Sequence, residues 1–320
     1  MGVWPRKRAK RMYARVRGWT AQKFEKTTLL GFAGYKVGMT HIMGTDVKKT
    51  SMTKNEEIRV PVTILECPPL KVFAVRFYKK VPYGSKVVSD FLVKPGKDLS
   101  RKLTMAKAYP EAKELDSKNA GDFSDISLIT YTSPANTGIG KKRPELFELK
   151  LSGSVQEKLD FAKAHADKDI TVEQVFKEGQ FVDAHAVTKG KGTQGPIKRF
   201  GIALKQHKTE KGRRQPGSRG GWSAQQHVMY RTAYAGQMGF HQRVQYNLQL
   251  YKVGSQGSDV NPKDGFSRYG TVRGSYILLK GSVPGAKKRM ILLTQPLRAS
   301  KKDNPIPVIT SISLQSKQGR

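Results

Sequence analysis

The sequence predicts a mainly β protein, in which a small antiparallel barrel is interrupted by an α/β lobe and carries two basic segments. Short apolar segments with regular glycines recur in residues 27–80 and 244–320, which favours an antiparallel barrel over βαβ units. The net charge is +34 over 320 residues, far more than solubility requires. Residues 181–250 pass from a strand through a basic, glycine-rich stretch and back to a strand.

The composition indicates a polyanionic partner, with nucleic acid the first expectation and a membrane surface the weaker one. The hydrophobic content of 37% suffices for a sizeable core in one or two domains. No apolar run is long enough to predict a transmembrane helix, and the N-terminus lacks the apolar segment of a signal peptide. The single cysteine, Cys67, excludes an intramolecular disulfide and suits a reducing compartment.

Residues 1–26 form a basic N-terminal arm. Its cations are interleaved with Trp4, Tyr13 and Trp19, rings of the kind that stack on bases or sugars. A solvated, disordered tail is the alternative, but the aromatic residues favour contact with nucleic acid. The cations expected to bind it are Arg6, Lys7, Arg8, Lys10 and Arg11.

Residues 27–80 are predicted to be the first part of the barrel. Leu29–Met39 is apolar with glycines suited to tight bends. Ile58–Cys67 alternates with β-branched residues on one side, Pro68 and Pro69 end it, and Val72–Tyr78 makes a further strand.

Residues 81–180 are predicted to be an inserted α/β lobe that faces solvent, because their charge is nearly balanced. Residues 84–180 contain 16 basic and 15 acidic side chains. The predicted elements are an interrupted helix at 99–115 broken at Pro110, strands at 126–131 and 146–151, a helix at 155–166 and a short helix at 171–177. Ser154 and Glu157 stand at the spacing of a capping box before the longer helix.

The central stretch cannot build its own apolar core. Residues 189–243 contain 12 Lys or Arg and one acid, Glu210, and about one residue in ten is Leu, Ile, Val or Phe, below the ~20% of folded segments. Such a segment is either disordered or ordered by a polyanion. We expect a strand and a phosphate-facing turn at 181–200 and a basic extension at 201–243, whose two extended arms would reach up to ~65 Å.

Gly190–Gly195 matches the dinucleotide-binding glycine pattern and follows a strand. Pro196 and Gly201 replace the regular first turns that such a helix needs, and no second βαβ unit follows. We therefore interpret the glycines as allowing close backbone approach, with Lys189, Lys191, Lys198 and Arg199 directed at phosphates.

The sequence gives little support for catalysis or for a metal or cofactor site. The histidines lack metal-ligand spacing, and acids are scarce where the cations are dense. His227 and His241 lie in the basic stretch, where imidazole can donate to phosphate or stack. Trp222 has no apolar neighbours in sequence, which favours a ring at a loop tip that stacks on bases over a core residue.

The remaining residues, 244–320, are predicted to complete the barrel and to end in an extended segment. The predicted strands are 245–251, 272–280 and 290–294, and the extended segment is 305–314. A Pro-Gly loop between the last two strands carries Lys287, Lys288 and Arg289.

Four motifs in this order resemble the universal large-subunit ribosomal protein L-three family. They are Lys189-Gly-Lys-Gly-Thr-Gln-Gly195, the Arg219-Gly-Gly-Trp222 tip, Ala235-Gly-Gln-Met-Gly-Phe-His241 and Gly281-Ser-Val-Pro-Gly-Ala-Lys-Lys-Arg289. The opening Trp4-Pro-Arg-Lys-Arg8 and the inserted lobe resemble the archaeal–eukaryotic branch of this family, and the length fits the archaeal type. The resemblance covers essentially the whole chain. It implies a six-stranded closed antiparallel β-barrel of translation-protein type, with a long basic central extension and a basic N-terminal arm.

The resemblance implies a cytoplasmic, non-enzymatic protein of the large ribosomal subunit that binds large-subunit rRNA and acts in subunit assembly. Its extension would run towards the peptidyl-transferase centre, with Trp222 at the tip, and its neighbours would include the universal L-fourteen family. The expected rRNA-binding residues are those named above for the arm, the turn and the Pro-Gly loop, with Lys205, Lys208, Arg213, Arg214, Arg219, Trp222, His227, Arg231, His241 and Arg243. No membrane, small-molecule substrate, cofactor or metal is expected. A free-standing RNA- or DNA-binding module and a nucleotide-using enzyme remain as the alternatives.

Overall fold

The structure, a computed structural model, describes most of the chain. The described residues are 3–22, 24–110, 114–115, 118–218, 230–299 and 305–316. The predicted tip, with Arg219, Trp222 and His227, lies outside them.

Strands dominate the described residues, as the sequence predicts. The strands are β1 (Gly31–Thr45), β2 (Glu57–Glu66), β3 (Leu70–Val81), β4 (Gly84–Leu92), β5 (Asp125–Thr132), β6 (Leu146–Lys150), β7 (Phe181–Val187), β8 (Thr193–Gln194), β9 (Gly236–Gln237), β10 (Gln242–Gly254), β11 (Tyr276–Lys280), β12 (Met290–Thr294) and β13 (Val308–Ile312). The α-helices are α1 (Val155–His165) and α2 (Pro196–Phe200), and short 3-10 turns occur between strands.

The chain forms two compact units. The basic unit contains residues 1–12 and 187–243, and the sheet unit contains residues 13–186 and 244–320.

The larger sheet of the sheet unit has seven strands in the order β12-β7-β10-β11-β2-β1-β13, and β12 also pairs with β1. Strand β1 pairs antiparallel with β12 and β2, β2 pairs antiparallel with β11, and β12 pairs antiparallel with β7. Along β2 the predicted alternation is present up to Val62, but the last four residues are all buried, so both faces of the sheet are covered at this end of the strand. A mainly β fold with antiparallel sheets is therefore confirmed.

A second antiparallel sheet has the strand order β4-β3-β5-β6. Helix α1 contacts β5 of this sheet and buries Leu159 and Ala162. The sequence led us to group β3 with the barrel strands, but β3 pairs with β4 and β5 in the second sheet. Strand β4 was missed, because Ser, Lys and Asp dilute its short Val-Val segment.

The capping box of α1 forms as predicted. The Ser154 Oγ accepts from the Glu157 backbone N–H at 3.4 Å, and the Glu157 carboxylate accepts from the Ser154 backbone N–H at 3.3 Å. This exchange satisfies two backbone donors at the helix start, which explains why the helix begins at Val155.

The predicted helix at 99–115 is wrong for residues 102–110, whereas Glu114 and Leu115 are helical. A 3-10 turn covers Lys97–Arg101, and residues 102–110 are not helical. The Ala106 N–H donates to the Tyr109 hydroxyl at 3.1 Å instead of to a preceding carbonyl, and Pro110 has no N–H to donate. The predicted short helix at 171–177 is a single 3-10 turn, Val172–Gln174.

Glu66, at the end of β2, explains why the predicted strand at 272–280 begins only at Tyr276. The fully buried Glu66 carboxylate accepts from the backbone N–H groups of Arg273 and Gly274 at 2.7 and 3.2 Å. It also accepts from the Gly138 N–H at 3.3 Å and from the Tyr269 hydroxyl. Because the amides of residues 273 and 274 bind a side chain, they do not join a strand ladder.

Candidate nucleic-acid interface

In the basic unit, the turn that precedes the extension pairs with the end of the extension as antiparallel backbone. The Thr188 N–H donates to the His241 carbonyl at 2.9 Å, and the Lys191 N–H donates to the Met238 carbonyl at 2.9 Å. Strands β8 and β9 continue this pairing through Thr193 and Gln194. The Gly190–Gly195 motif thus belongs to a paired backbone segment, with the side chains of Lys189 and Lys191 exposed.

Helix α2 begins at Pro196 and ends at Phe200, and the next residue, Gly201, has a left-handed φ of 72°. From the sequence, Pro196 and Gly201 are expected to break a regular helix. In this five-residue helix, however, Pro196 stands at a first-turn position, where its missing N–H costs nothing. Gly201 provides the C-terminal cap. The helix presents Lys198 to solvent and directs Arg199 inward.

The Arg199 guanidinium joins helix α2 to the returning chain. Its Nε donates to the Gln237 carbonyl and its Nη1 to the Tyr234 carbonyl, both at 3.0 Å. A Cβ at Gly236 would lie 3.2 Å from the guanidinium carbon, so the glycine allows this close approach. Arg199 therefore bonds protein backbone as well as being a candidate phosphate ligand.

Aromatic rings and cations of the N-terminal arm pack on the same helix. Trp4 stacks on Phe200 with 5.7 Å between ring centroids and meets Tyr230 edge-on at 6.2 Å. The Arg6 guanidinium lies 4.2 Å from the Phe200 centroid, and its Nη1 donates to the Arg199 carbonyl at 2.6 Å. These contacts order the arm through cation–π and carbonyl interactions.

A second contact places the arm against the end of the extension. The Ala9 N–H donates to the Phe240 carbonyl at 2.8 Å, and the buried His241 donates from Nδ1 to the Lys7 carbonyl at 2.9 Å. Since the carbonyl can only accept, Nδ1 carries the proton. His241, which we expected to meet phosphate, is thus engaged with protein backbone at this nitrogen.

The basic unit is held together almost without an apolar core. Of its described residues, only Val187, Pro196 and His241 are buried. The sequence of the unit contains 17 Lys or Arg and one acid, Glu210. From the sequence, this stretch is expected to be either disordered or ordered by a polyanion. The structure shows a third outcome, in which guanidinium–carbonyl hydrogen bonds and ring stacking order the described residues.

Burial and like charge both disfavour the charged form of guanidinium groups in the basic unit. Burial lowers the pKa of Arg199 and of Arg243, and the like charge of Arg6 lowers both further. Like charges brought together in this way are stabilised by an anion.

Residues 205–213 form a turn. The Lys205 N–H donates to the Arg213 carbonyl at 3.1 Å, and the Thr209 N–H donates to the Gln206 carbonyl at 3.1 Å. The chain therefore reverses within the first arm of the extension, and the expectation of two fully extended arms is wrong for these residues. Lys208, Arg213 and Arg214 are exposed on this turn, while Lys205 is half-buried.

The Pro-Gly loop of the sheet unit is held by lysines that donate to carbonyls. The Lys36 ammonium donates to the carbonyls of Val283 and Gly285, and Lys287 donates to the Ser267 carbonyl at 2.7 Å. Burial and the charge of Lys287 lower the pKa of Lys36. Lys287 and Lys288 are exposed, whereas Arg289 is half-buried, and burial lowers the pKa of its guanidinium.

Most of the expected rRNA-binding cations are on the surface. The exposed ones are Lys7, Arg8, Lys10, Arg11, Lys189, Lys191, Lys198, Lys208, Arg213, Arg214, Arg231, Lys287 and Lys288. Phe200 and Tyr230 were not expected to belong to the site, and Trp4 was noted only as a ring in the arm. Since Phe200 follows two cations and Tyr230 precedes Arg231, alternation of aromatic and basic residues would have indicated them.

Among the described residues, no group of three His, Cys, Asp or Glu side chains could hold a metal ion. In the same part of the chain, no helix is long and apolar enough to cross a membrane.

Comparison with known proteins places the chain in a family. The family model described as ribosomal protein L3 matches residues 1–319. The large ribosomal subunit protein uL3 of Archaeoglobus fulgidus is 42% identical over 320 residues, covering 99% of this chain and 96% of that protein. The proteins of the same name from Methanothermobacter thermautotrophicus (44% identical, 98% of this chain and 95% of that protein) and Pyrobaculum calidifontis (42%, 99% and 96%) are similarly close. The chain therefore belongs to the ribosomal protein L3 family.

Proposed function

We propose that this protein binds large-subunit rRNA through its N-terminal arm, the paired base of its extension and its Pro-Gly loop. As a member of the L3 family it is a structural, non-enzymatic constituent of the large subunit of the cytoplasmic ribosome. The observation that carries the binding proposal is the basic unit, whose sequence contains 17 cations and one acid and whose described residues form a hydrogen-bonded backbone with almost no apolar core. Such a surface suits the phosphate backbone, which supplies most of the affinity for nucleic acid.

The proposed phosphate ligands are the exposed cations named above, together with Lys205, Arg243 and Arg289 at half-buried positions. Arg6 and Arg199 donate to carbonyls, and both stay in the proposed set because their positive charge attracts phosphate. Arg219, Trp222 and His227 complete the proposed set at the tip.

We propose an organisation into an arm (1–26), barrel segments (27–80 and 244–320, with β3 assigned to the lobe), a lobe up to residue 180, a strand and turn (181–200) and an extension (201–243). The barrel would consist of β1, β2, β11, β10, β7 and β12. Supporting closure, β12 pairs with β7 through Leu292 and His185 and with β1 through Leu293 and Phe32. Hydrogen exchange tests the closure of the barrel, because a closed barrel protects both the β12 amides directed at β7 and those directed at β1. Fast exchange of the amides on one side of β12 would contradict closure.

We propose that the extension reaches towards the peptidyl-transferase centre and tunes the conformation of its rRNA without taking part in the chemistry. The support is a basic, nearly coreless loop whose sequence tip carries Trp222. Trp222→Ala should leave subunit assembly largely intact and alter the binding of tRNA or inhibitors near the centre. Wild-type binding of both ligands would contradict this role.

A role in assembly and contact with the L-fourteen family remain part of the proposal. Early rRNA binding predicts that subunits assembled without this protein lack part of the folded rRNA, which chemical probing would detect.

Cross-linking within the subunit should join this chain to an L-fourteen protein, and the absence of such cross-links would remove that partner.

The alternative function is that of a free-standing RNA- or DNA-binding module, and co-sedimentation with large subunits at high salt tests it. A ribosomal constituent co-sediments with large subunits at high salt, because many contacts anchor it, whereas a module held by phosphates alone is released. Release at salt concentrations that leave other large-subunit proteins bound would favour the alternative.

A further inference from the structure

The β3–β4 hairpin is strongly basic, although it lies in a lobe whose charge is nearly balanced. Residues 79–88 contain Lys79, Lys80 and Lys86 and no acid. All three lysines are exposed, in contrast to the partly buried cations of the same sheet.

The lysines of the hairpin break the rule that like charges should not lie opposite each other in a sheet. Lys79 and Lys86 are directly opposite each other in the ladder, and like charges in this position destabilise a hairpin. Nearer the sheet the rule is obeyed, since Arg76 binds Asp90 at 2.8 Å and Glu148 at 3.5 Å. A local conflict confined to one end of an otherwise balanced ladder indicates that a partner completes it.

The hairpin also exposes apolar side chains. Tyr83, at the turn, is 94% exposed, and Val88, at a bulge in β4, is 52% exposed. An aromatic ring presented beside lysines on a turn suits stacking on an unpaired base.

A cleft lies along the hairpin, lined by Lys80, Val81, Ser85, Ser124, Asp125 and Lys158. Its carboxylate, Asp125, accepts from Lys150 at 2.8 Å and from Lys158 at 2.6 Å. Because two ammonium groups neutralise Asp125, it does not oppose a phosphate at Lys80.

We propose that the β3–β4 hairpin is a second RNA-binding element, in which Lys79, Lys80 and Lys86 bind backbone phosphates and Tyr83 stacks on an unpaired base. The proposal rests on the proposed function, since it extends rRNA binding to the lobe. Charge favours RNA over a protein strand added along β4, because three lysines without an acid match a regular polyanion.

The test measures the affinity of the full-length protein for purified large-subunit rRNA at several potassium chloride concentrations. The variant Lys79→Gln, Lys80→Gln, Lys86→Gln should make the negative slope of log affinity against log salt shallower by about 2–3, since each phosphate contact contributes roughly 0.7–0.9. The matched control removes the same charge at three exposed lysines that are next to acids, Lys97, Lys168 and Lys177, and should retain the wild-type slope.

Tyr83 provides a second, independent measurement. Tyr83→Ala should weaken binding about five- to tenfold without changing the salt slope, because stacking releases no counterions. Tyr83→Phe keeps the ring and should bind as the wild type does. Since Tyr83 is almost fully exposed, neither change should alter the thermal unfolding of the protein.

The outcomes separate the two proposals. If the wild type fails to bind rRNA, both the proposed function and the hairpin proposal are wrong. If the wild type binds, and the hairpin and control variants have equal slopes, only the hairpin proposal is wrong. The lysine variant could also bind rRNA as the wild type does but lose a cross-link that the wild type makes to an acidic protein segment. This outcome would contradict the hairpin proposal, because the hairpin would then bind protein instead of RNA.

Discussion

His185 is a buried titratable side chain whose charge depends on the fold. It is 7% exposed in β7, and its Nε2 lies 3.1 Å from the Thr294 hydroxyl of β12. Burial lowers the pKa of His185, and the negative charge of Asp183 only partly opposes the effect. The folded sheet unit therefore favours the neutral imidazole.

The stability of the protein should consequently fall in acid through His185. Above the unfolded pKa of about 6.5, the contribution of the neutral side chain is fully present. It is lost as the pH falls from there through the lower pKa of the folded state, because the unfolded chain takes up the proton first. Denaturant unfolding between pH 8 and pH 5 measures this loss.

His185→Gln should flatten this part of the pH dependence, since glutamine does not titrate. The exposed His207→Gln is the control and should retain the wild-type curve. Equal curves for both variants would show that other groups govern the acid limb.

Residue chemistry alone did not predict which acceptor each cationic side chain meets. Arg199 and His241 stand among cations, so phosphate was the natural expectation. Their donors instead meet the carbonyls of Gln237 and Lys7. A guanidinium or imidazole bonds a carbonyl as readily as a phosphate, so only the fold decides which acceptor it reaches.

Among the elements, those with strong local signals were predictable. The capping residues and apolar spacing of α1 and the alternation of β2 identified both from sequence. Helix α2 was missed, because five residues between Gly195 and Gly201 give too little periodicity. Strands β8 and β9 have two residues each and depend on distant pairing.

The pairing at the base of the extension depends on Gly239. Its φ is +73°, and a Cβ there would lie 2.1 Å from the Lys189 carbonyl oxygen. Gly239→Ala should therefore break the pairing of residues 188–192 with 238–241, beyond the ~1 kcal/mol cost of a left-handed alanine. Hydrogen exchange at the Lys191 and Met238 amides should become faster.

Gly201→Ala is the matched control for this change. Its φ of +72° is almost the same, yet nothing lies within 4 Å of the added Cβ. The control should lose only the backbone preference and retain slow exchange at both amides. Similar exchange in the two variants would mean that the close contact with Lys189 does not hold the pairing.

For the whole molecule, composition predicted how the charge is divided but not how the basic part is ordered. The balanced charge of the lobe and the excess in the basic unit were both evident from the sequence. The contact of residues 3–12 with the extension was not, because it joins residues almost 200 positions apart, as in the bond from Arg6 to Arg199.

The excess charge predicts opposite effects of salt on the free protein and on its complex. With a net charge of +34, the free protein is destabilised by self-repulsion, so its unfolding temperature should rise between about 10 and 300 mM salt as screening increases. Over the same range its affinity for rRNA should fall, since salt opposes counterion release. Calorimetry and binding measured on one preparation test both effects. An unfolding temperature that falls with salt would show that attractive pairs such as Arg76–Asp90 outweigh the repulsion.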